Sequence, residues 1–260
     1  MATPRRRLDR ELVARGLAAD REEALGLVAD CRVLVDGAPA LSAERLVGGH
    51  AHMRVLRPAR AFVSRGGDKL AGALDDLGLS PAGRRCLDAG AGHGGFTDCL
   101  LQRGAASVVA VDVGYGDFDW ALRTDPRVRL IERCNVRTAN PAVLGAPFDL
   151  VVADLSFISL TAAAATLTAA AGPDGDLLVL VKPQFEAEPS SVEAGGLVTD
   201  PQTHAATIRN VAAAFWDHGV GTVGLAPARL KGASGNQEFF LCARRGTNPL
   251  TDDALDAATR

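Results

Sequence analysis

The stretch 87–100, LDAGAGHGGFTDCL, decides the fold of this 260-residue chain. An apolar run ends at Asp88, a glycine-rich turn follows, and an amphipathic segment then reads as a helix. Gly90, Gly92, Gly94 and Gly95 let the backbone turn tightly and let a ligand approach the main chain. Strand, glycine loop and helix in this order mark a doubly wound α/β domain, which binds ligands outside the carboxyl ends of its strands. Outward from this stretch the alternation continues. RRCLDAG, SVVAVDVG, VRLIERCN, FDLVVADLSF, GDLLVLVKPQ, VGTVGLAPA and NQEFFLCARR read as strands. FTDCLLQRG, LTAAAATLTAAA and TIRNVAAAFWDHG read as helices. One α/β domain is therefore expected over residues 66–246, with 247–260 as a weakly ordered tail.

Charges stand where those strands end. Asp112 lies 22 residues after Gly90, a spacing that suits ribose hydroxyls; alone it is also an ordinary solvated strand end. Asp154 and Lys182 each close an apolar strand, so Asp112, Asp154 and Lys182 are expected in one crevice. The lysine is informative because 25 of the 28 basic residues are arginines. Only Lys69, Lys182 and Lys231 are lysines, and a lysine, unlike an arginine, can give up its proton when buried. Glu238 interrupts the apolar run of the last strand and asks for a cationic partner, or else lies on a polar edge. Asp88 precedes the glycines, and DAGAGHGG resembles the E/D-x-G-x-G loop of S-adenosylmethionine enzymes more than a dinucleotide fingerprint. A carboxylate there can meet the positive amino group of the methionine moiety, or can cap the strand. The expected cofactor contacts are Asp88, Gly90, Gly92, Gly94, Gly95 and Phe96, with Asp112 for the ribose and Asn135 for the adenine edge. His93 reads as loop surface.

Residues 1–59 read as a separate small α+β unit. LDRELVARGL and DREEALGLVAD have helical spacing, with Asp20 placed as a cap; RVLVDG and HMRVLRP read as short strands. Residues 60–65 read as the linker, with Pro58 as punctuation. Charge is uneven: residues 1–65 carry 12 basic and 8 acidic side chains, the remainder 16 and 23. A basic front end suits a polyanion. Arg5, Arg6, Arg7 and Arg32 are candidate phosphate contacts, with plain surface solubility as the equal alternative.

Composition narrows the classes further. The five cysteines form no CxxC pair and no Cys/His cluster, so neither a disulfide frame nor a metal site is expected. No apolar run reaches about 18 residues, and no apolar stretch follows the N-terminal arginines, so neither a membrane span nor a secretory signal is expected. A cytoplasmic protein is the expectation.

The order Lys69, Asp154, Lys182, Glu238 resembles the catalytic tetrad of FtsJ-type ribose 2′-O-methyltransferases. RAFVSRGGDKLAGAL, DVGYG, ADLSFISL, VKPQFE and GNQEFF, behind the two-helix front unit, resemble in order the TlyA or "haemolysin A" family, in which an S4-like RNA-binding domain precedes such a methyltransferase. The similarity spans roughly residues 5–245. It implies a Rossmann-like S-adenosylmethionine-dependent domain that methylates a cytidine ribose in ribosomal RNA, free or within ribosomal subunits. It also implies that Lys69, Asp154, Lys182 and Glu238 carry the catalysis, with Lys182 as the base or the group steering the hydroxyl. Three departures stand out. The family's loop usually reads closer to GASTGGFT, where this chain has GAGHGGFT. Cys31 replaces the glycine that S4-like sequences place before the first strand, and 187–193 carries Glu188 and Glu193 where basic residues are usual. The acidic loop leaves room for another RNA or a small-molecule substrate; a non-catalytic RNA-binding protein is the remaining alternative.

Overall fold

A computed structural model describes residues 5–56 and 61–259. The chain divides into two compact units at residue 60, and Pro58 lies outside the described residues.

In the first unit, strand β1 (Arg6–Arg7) leads into helices α1 (Leu8–Ala14) and α2 (Arg21–Ala29). Strands β2 (Val33–Val35), β3 (Ala38–Pro39), β4 (Leu46–Val47) and β5 (Met53–Val55) follow. β2 pairs antiparallel with both β3 and β5, and β1 pairs with β4. Asp20 caps α2 by accepting from the Glu23 amide. Leu8, Leu12, Ala24, Leu27, Val28, Val33 and Val35 form a small core. Cys31 adopts φ +55°, the left-handed region where a glycine would be free of strain.

The second unit opens with α3 (Arg65–Asp76). Then come β6 (Arg85–Ala89), α4 (Gly95–Gln102), β7 (Ser107–Val111), α5 (Trp120–Arg123), β8 (Val128–Ile131) and α6 (Pro141–Leu144). β9 (Phe148–Ala153), α7 (Leu160–Ala170), β10 (Ala171–Val181), α8 (Pro183–Glu186), α9 (Pro201–Trp216), β11 (Val220–Pro227), β12 (Phe239–Arg245) and α10 (Asp252–Thr259) complete it. Seven strands form one sheet in the order β11-β12-β10-β9-β6-β7-β8. β12 alone runs antiparallel to its two neighbours, β10 and β11; the other pairs are parallel.

Alternation along the strands splits the core in two. Leu87, Val109, Val151, Val179 and Leu241 join residues of α7 and α9 in one cluster. Their neighbours Cys86, Val108, Val152, Leu178 and Phe240 join residues of α3 and α4 in the other. Burial on both faces explains why these strands read as unbroken apolar runs. Strand order reverses between β6 and β9, and a crevice opens there at the carboxyl ends.

Two sequence expectations change. The tail expected to be weakly ordered forms α10, whose Leu255 is buried in the larger core. One leucine in DDALDAAT makes no periodic stripe, so only the packing reveals it. Of the linker expected over residues 60–65, Phe62 and Val63 pack on the second unit's core, the Val63 amide donates to Asp98 Oδ2, and Ser64 caps α3. Residue 60 lies outside the described residues.

Candidate active site

The crevice holds a cavity of about 520 Å³, within the usual range for a small-molecule site. Its floor is the turn between β6 and α4. Gly90 has φ +83°, and a Cβ there would fall 2.5 Å from the Asp154 carbonyl oxygen, where β9 ends against β6. Gly92 has φ +50° with open space above it. Asp112, at the end of β7, fixes the rim: Oδ2 accepts from the Gly92 amide at 2.7 Å and Oδ1 from the Gly114 amide at 2.6 Å.

Of the expected cofactor contacts, Gly90, Gly92, Gly95, Phe96, Asp112 and Asn135 line this cavity. Gly94 does not; it packs against Leu122 and Phe118. Asp88 does not either. It is fully buried beneath the loop, with Oδ2 accepting from Thr97 Oγ1 at 2.7 Å and Oδ1 without a partner. Burial pushes its pKa up to about 7, with Asp154 and Asp112 adding to the rise and Thr97 opposing it. His93, read as loop surface, is exposed and also lines the cavity.

The donor set fits S-adenosylmethionine. Glycine backbone at Gly90 and Gly92 permits close approach, Asp112 and Asn135 offer polar atoms for ribose and base, and Phe96 supplies apolar contact. The unpartnered Asp88 oxygen, buried below the loop, is a polar group whose ionised form a cationic neighbour above it would favour.

The tetrad forms two tight pairs. Lys69 Nζ lies 2.6 Å from Glu238 Oε2, and Lys182 Nζ lies 2.6 Å from Asp154 Oδ1. Register brings the pairs together: Val181 of β10 faces Phe239 of β12, so Lys182 and Glu238 leave adjacent strands side by side. Lys69 and Asp154 line the cavity, whereas Lys182 and Glu238 do not. Lys182, 8% exposed, also donates to Ser156 Oγ at 2.8 Å. Gly232 leaves room for this cluster, since a Cβ there would sit 2.5 Å from Glu238 Oε1. Lys231 is exposed, and its carbonyl accepts from Arg65.

Sequence reasoning missed two walls. Ser64, Arg65 and Gly66, at the start of α3, form one. Leu155, Ser156, Phe157 and Ile158 form the other, on the corner after β9. Phe157 is 88% exposed with φ +65° and meets the Phe185 ring at 5.3 Å. Neither wall has a periodic pattern; the Ser64 cap position before α3 and the family-like stretches RAFVSRGGDKLAGAL and ADLSFISL were the readable signals. Glu186 is half-buried below the second wall, and that burial raises its pKa against bonds from Leu160 and Ser159.

The candidate phosphate contacts separate. Arg5 and Arg6 are exposed. Arg7 is bound to Asp9 and Glu44, so its charge serves the unit's own structure. Asp9, held by Arg7 and also by Arg21, is fully buried with its pKa lowered to about 2. Arg32 is half-buried and donates to the Leu56 carbonyl. In the acidic loop, Glu193 accepts from Thr199 and is spent on closing the loop, while Glu188 is exposed. Among the described residues no cluster of metal-ligating side chains occurs, and no helix is long and apolar enough to cross a membrane.

The FtsJ-like methyltransferase family matches residues 62–245. The chain is 48% identical to the 16S/23S rRNA (cytidine-2′-O)-methyltransferase TlyA of Mycobacterium tuberculosis, over 97% of this chain and 93% of that protein. It is 34% identical to Hemolysin A of Brachyspira hyodysenteriae, over 90% and 98%. A Streptococcus thermophilus structure described as a "putative hemolysin" superposes with a TM-score of 0.73 at 32% identity, covering 98% of this chain and 96% of that one.

Proposed function

The chain belongs to the FtsJ-like methyltransferase family and uses S-adenosylmethionine, and from that premise we propose that it methylates the 2′-hydroxyl of a cytidine ribose in ribosomal RNA. The observation that carries the chemistry is the pair of lysine–carboxylate contacts at the strand ends beside the glycine loop. The substrate comes from the relative that matches over nearly the whole chain. We place the reaction in the cytoplasm, on free ribosomal RNA or on a subunit.

A ribose hydroxyl is a weak nucleophile at neutral pH. As its oxygen bonds to carbon, the sulfur–carbon bond breaks and the hydroxyl proton must leave. Bound S-adenosylmethionine supplies the electrophilic methyl on a positively charged sulfur. In this proposal Lys182 takes the proton or steers the hydroxyl lone pair, and Asp154, 2.6 Å from its Nζ, stabilises the positive charge there. Ser156 fixes the direction of Nζ. Lys69, held by Glu238, keeps a cation on the cavity wall. Phe157 offers an exposed ring on which an unpaired base can stack. Arg5 and Arg6 remain phosphate candidates in the first unit.

Incubation with methyl-labelled S-adenosylmethionine and either naked ribosomal RNA or isolated subunits tests this reading. Label is expected in an alkali-resistant dinucleotide, because a 2′-O-methyl group caps the oxygen that must lose its proton and attack the neighbouring phosphate in alkaline cleavage. Label on a base, or no labelled RNA, rejects it.

A further inference from the structure

Two segments meet beside the cavity: the corner 154–160 between β9 and α7, and the turn 182–186 after β10. They are joined at successive points. Lys182 Nζ reaches Asp154 and Ser156. The Phe185 ring meets the Phe157 ring at an interplanar angle of 49°. Glu186 closes the series: Oε2 accepts from Ser159 Oγ at 2.5 Å, and Oε1 accepts from the Leu160 amide at 2.8 Å.

Leu160 is the first residue of α7, so its amide has no partner within the helix. A carboxylate there is favoured by both the open amide and the helix dipole. Ser159 already caps α7 through the Thr161 amide. The bonds to Glu186 therefore do something more, which is to fasten the helix start to the turn carrying Lys182.

The segment between these anchors is strained. Phe157 is a non-glycine residue in the left-handed region, a conformation that persists only where surroundings impose it. Phe185 is the ring against which Phe157 rests.

We propose that Glu186 is a positioning residue for methyl transfer: by tying Ser159 and Leu160 to the turn that bears Lys182, it holds the Ser156–Phe157 corner in the shape that receives the RNA. This rests on the reading that the corner faces the substrate. Glu186 itself does not line the cavity.

The full-length chain and its Glu186→Ala and Glu186→Gln variants are compared by three measurements: amide hydrogen exchange, S-adenosylhomocysteine binding by calorimetry, and methylation kinetics on ribosomal RNA. Glu186→Ala is expected to speed exchange over residues 156–160. It should also raise KM for RNA about tenfold, with kcat and cofactor Kd within about threefold. Glu186→Gln keeps an acceptor for the Leu160 amide and should recover most of the loss. Unchanged exchange and KM overturn the proposal. So does a parallel loss of cofactor affinity, RNA KM and thermal midpoint, which marks a general structural role. If the wild-type chain methylates no RNA, the proposed substrate fails; exchange in Glu186→Ala then decides the tether, and wild-type rates over 156–160 overturn it.

Discussion

The two ends of one sheet solve the same electrostatic problem with different cations. At the amino end, Asp176 of β10 is fully buried and accepts from Arg84 and Arg244, each at 2.6–2.7 Å. At the carboxyl end, Asp154 and Glu238 are each paired at the same short distance with a lysine. The contacts look alike, but their chemical capacities differ. A guanidinium stays protonated and braces a carboxylate through a planar fork, whereas an ammonium can exchange its proton. In a chain with 25 arginines and three lysines, two of the lysines pair with carboxylates at this end, where the proposed reaction moves a proton.

Charge-preserving substitutions test that contrast hardest. Lys182→Arg should leave cofactor affinity and thermal midpoint close to wild type yet lower kcat by about 10²–10⁴, the span expected of a lost general base. Single-turnover assays with labelled donor measure it, and near-wild-type turnover would equate the two ends. Asp176→Ala should do the reverse. Losing the charge-assisted bonds to two partly exposed arginines, which water can then solvate, costs roughly 1–3 kcal/mol in denaturant unfolding, while kcat of the folded fraction stays unchanged. A drop in kcat per folded molecule would show that the amino end also serves the reaction.

Asp88 lies between those cases, since it is a buried carboxylate with no cation at all. Its folded-state pKa near 7 lies above the ordinary 3.8, so the folded chain holds this proton more tightly than the unfolded one. The associated stability is complete below about 3.8 and is lost as pH rises through about 7. Asp88→Asn should flatten that decline in urea midpoints measured across this window. An identical pH slope in both proteins would refute the assignment. Asp9 supplies the opposite sign in the first unit: its pKa near 2 means that its contribution is present above 3.8 and lost as pH falls through about 2.

The smallest effect concerns the first unit. Cys31→Gly removes a side chain from a left-handed position, and the relief of strain exceeds the entropy cost of glycine by about 0.5–1 kcal/mol. The first unit's urea midpoint should rise slightly, with methyl-transfer kinetics unchanged. A lower midpoint would show that the thiol makes up for the strain.

Legibility differed from element to element. LLVLV and FDLVVA could be read because strands buried on both faces must be apolar throughout, and an isolated charge at their ends is then conspicuous. Gly90 could be read as a site of close approach, although the Asp154 carbonyl that approaches it could not be named. Leu255 and Phe62 were hidden because one apolar residue in a polar segment has no period. Arg7 looked like its neighbours Arg5 and Arg6. Its difference depends on Glu44, 37 residues away, and on Asp9 being buried.

The sequence alone determined the α/β class and the cofactor loop, which depend on local pattern, while the resemblance to a known family singled out the four charged residues of the expected tetrad. The tertiary structure decided which lysine takes which carboxylate, which members face the cavity, and how Phe157 comes to be held in a strained corner by a turn about 30 residues further along. Those outcomes depend on strand register and burial. Hydrogen bonds and ion pairs act over a few ångströms of space, and spacing along the chain does not specify which distant groups will be brought within that range.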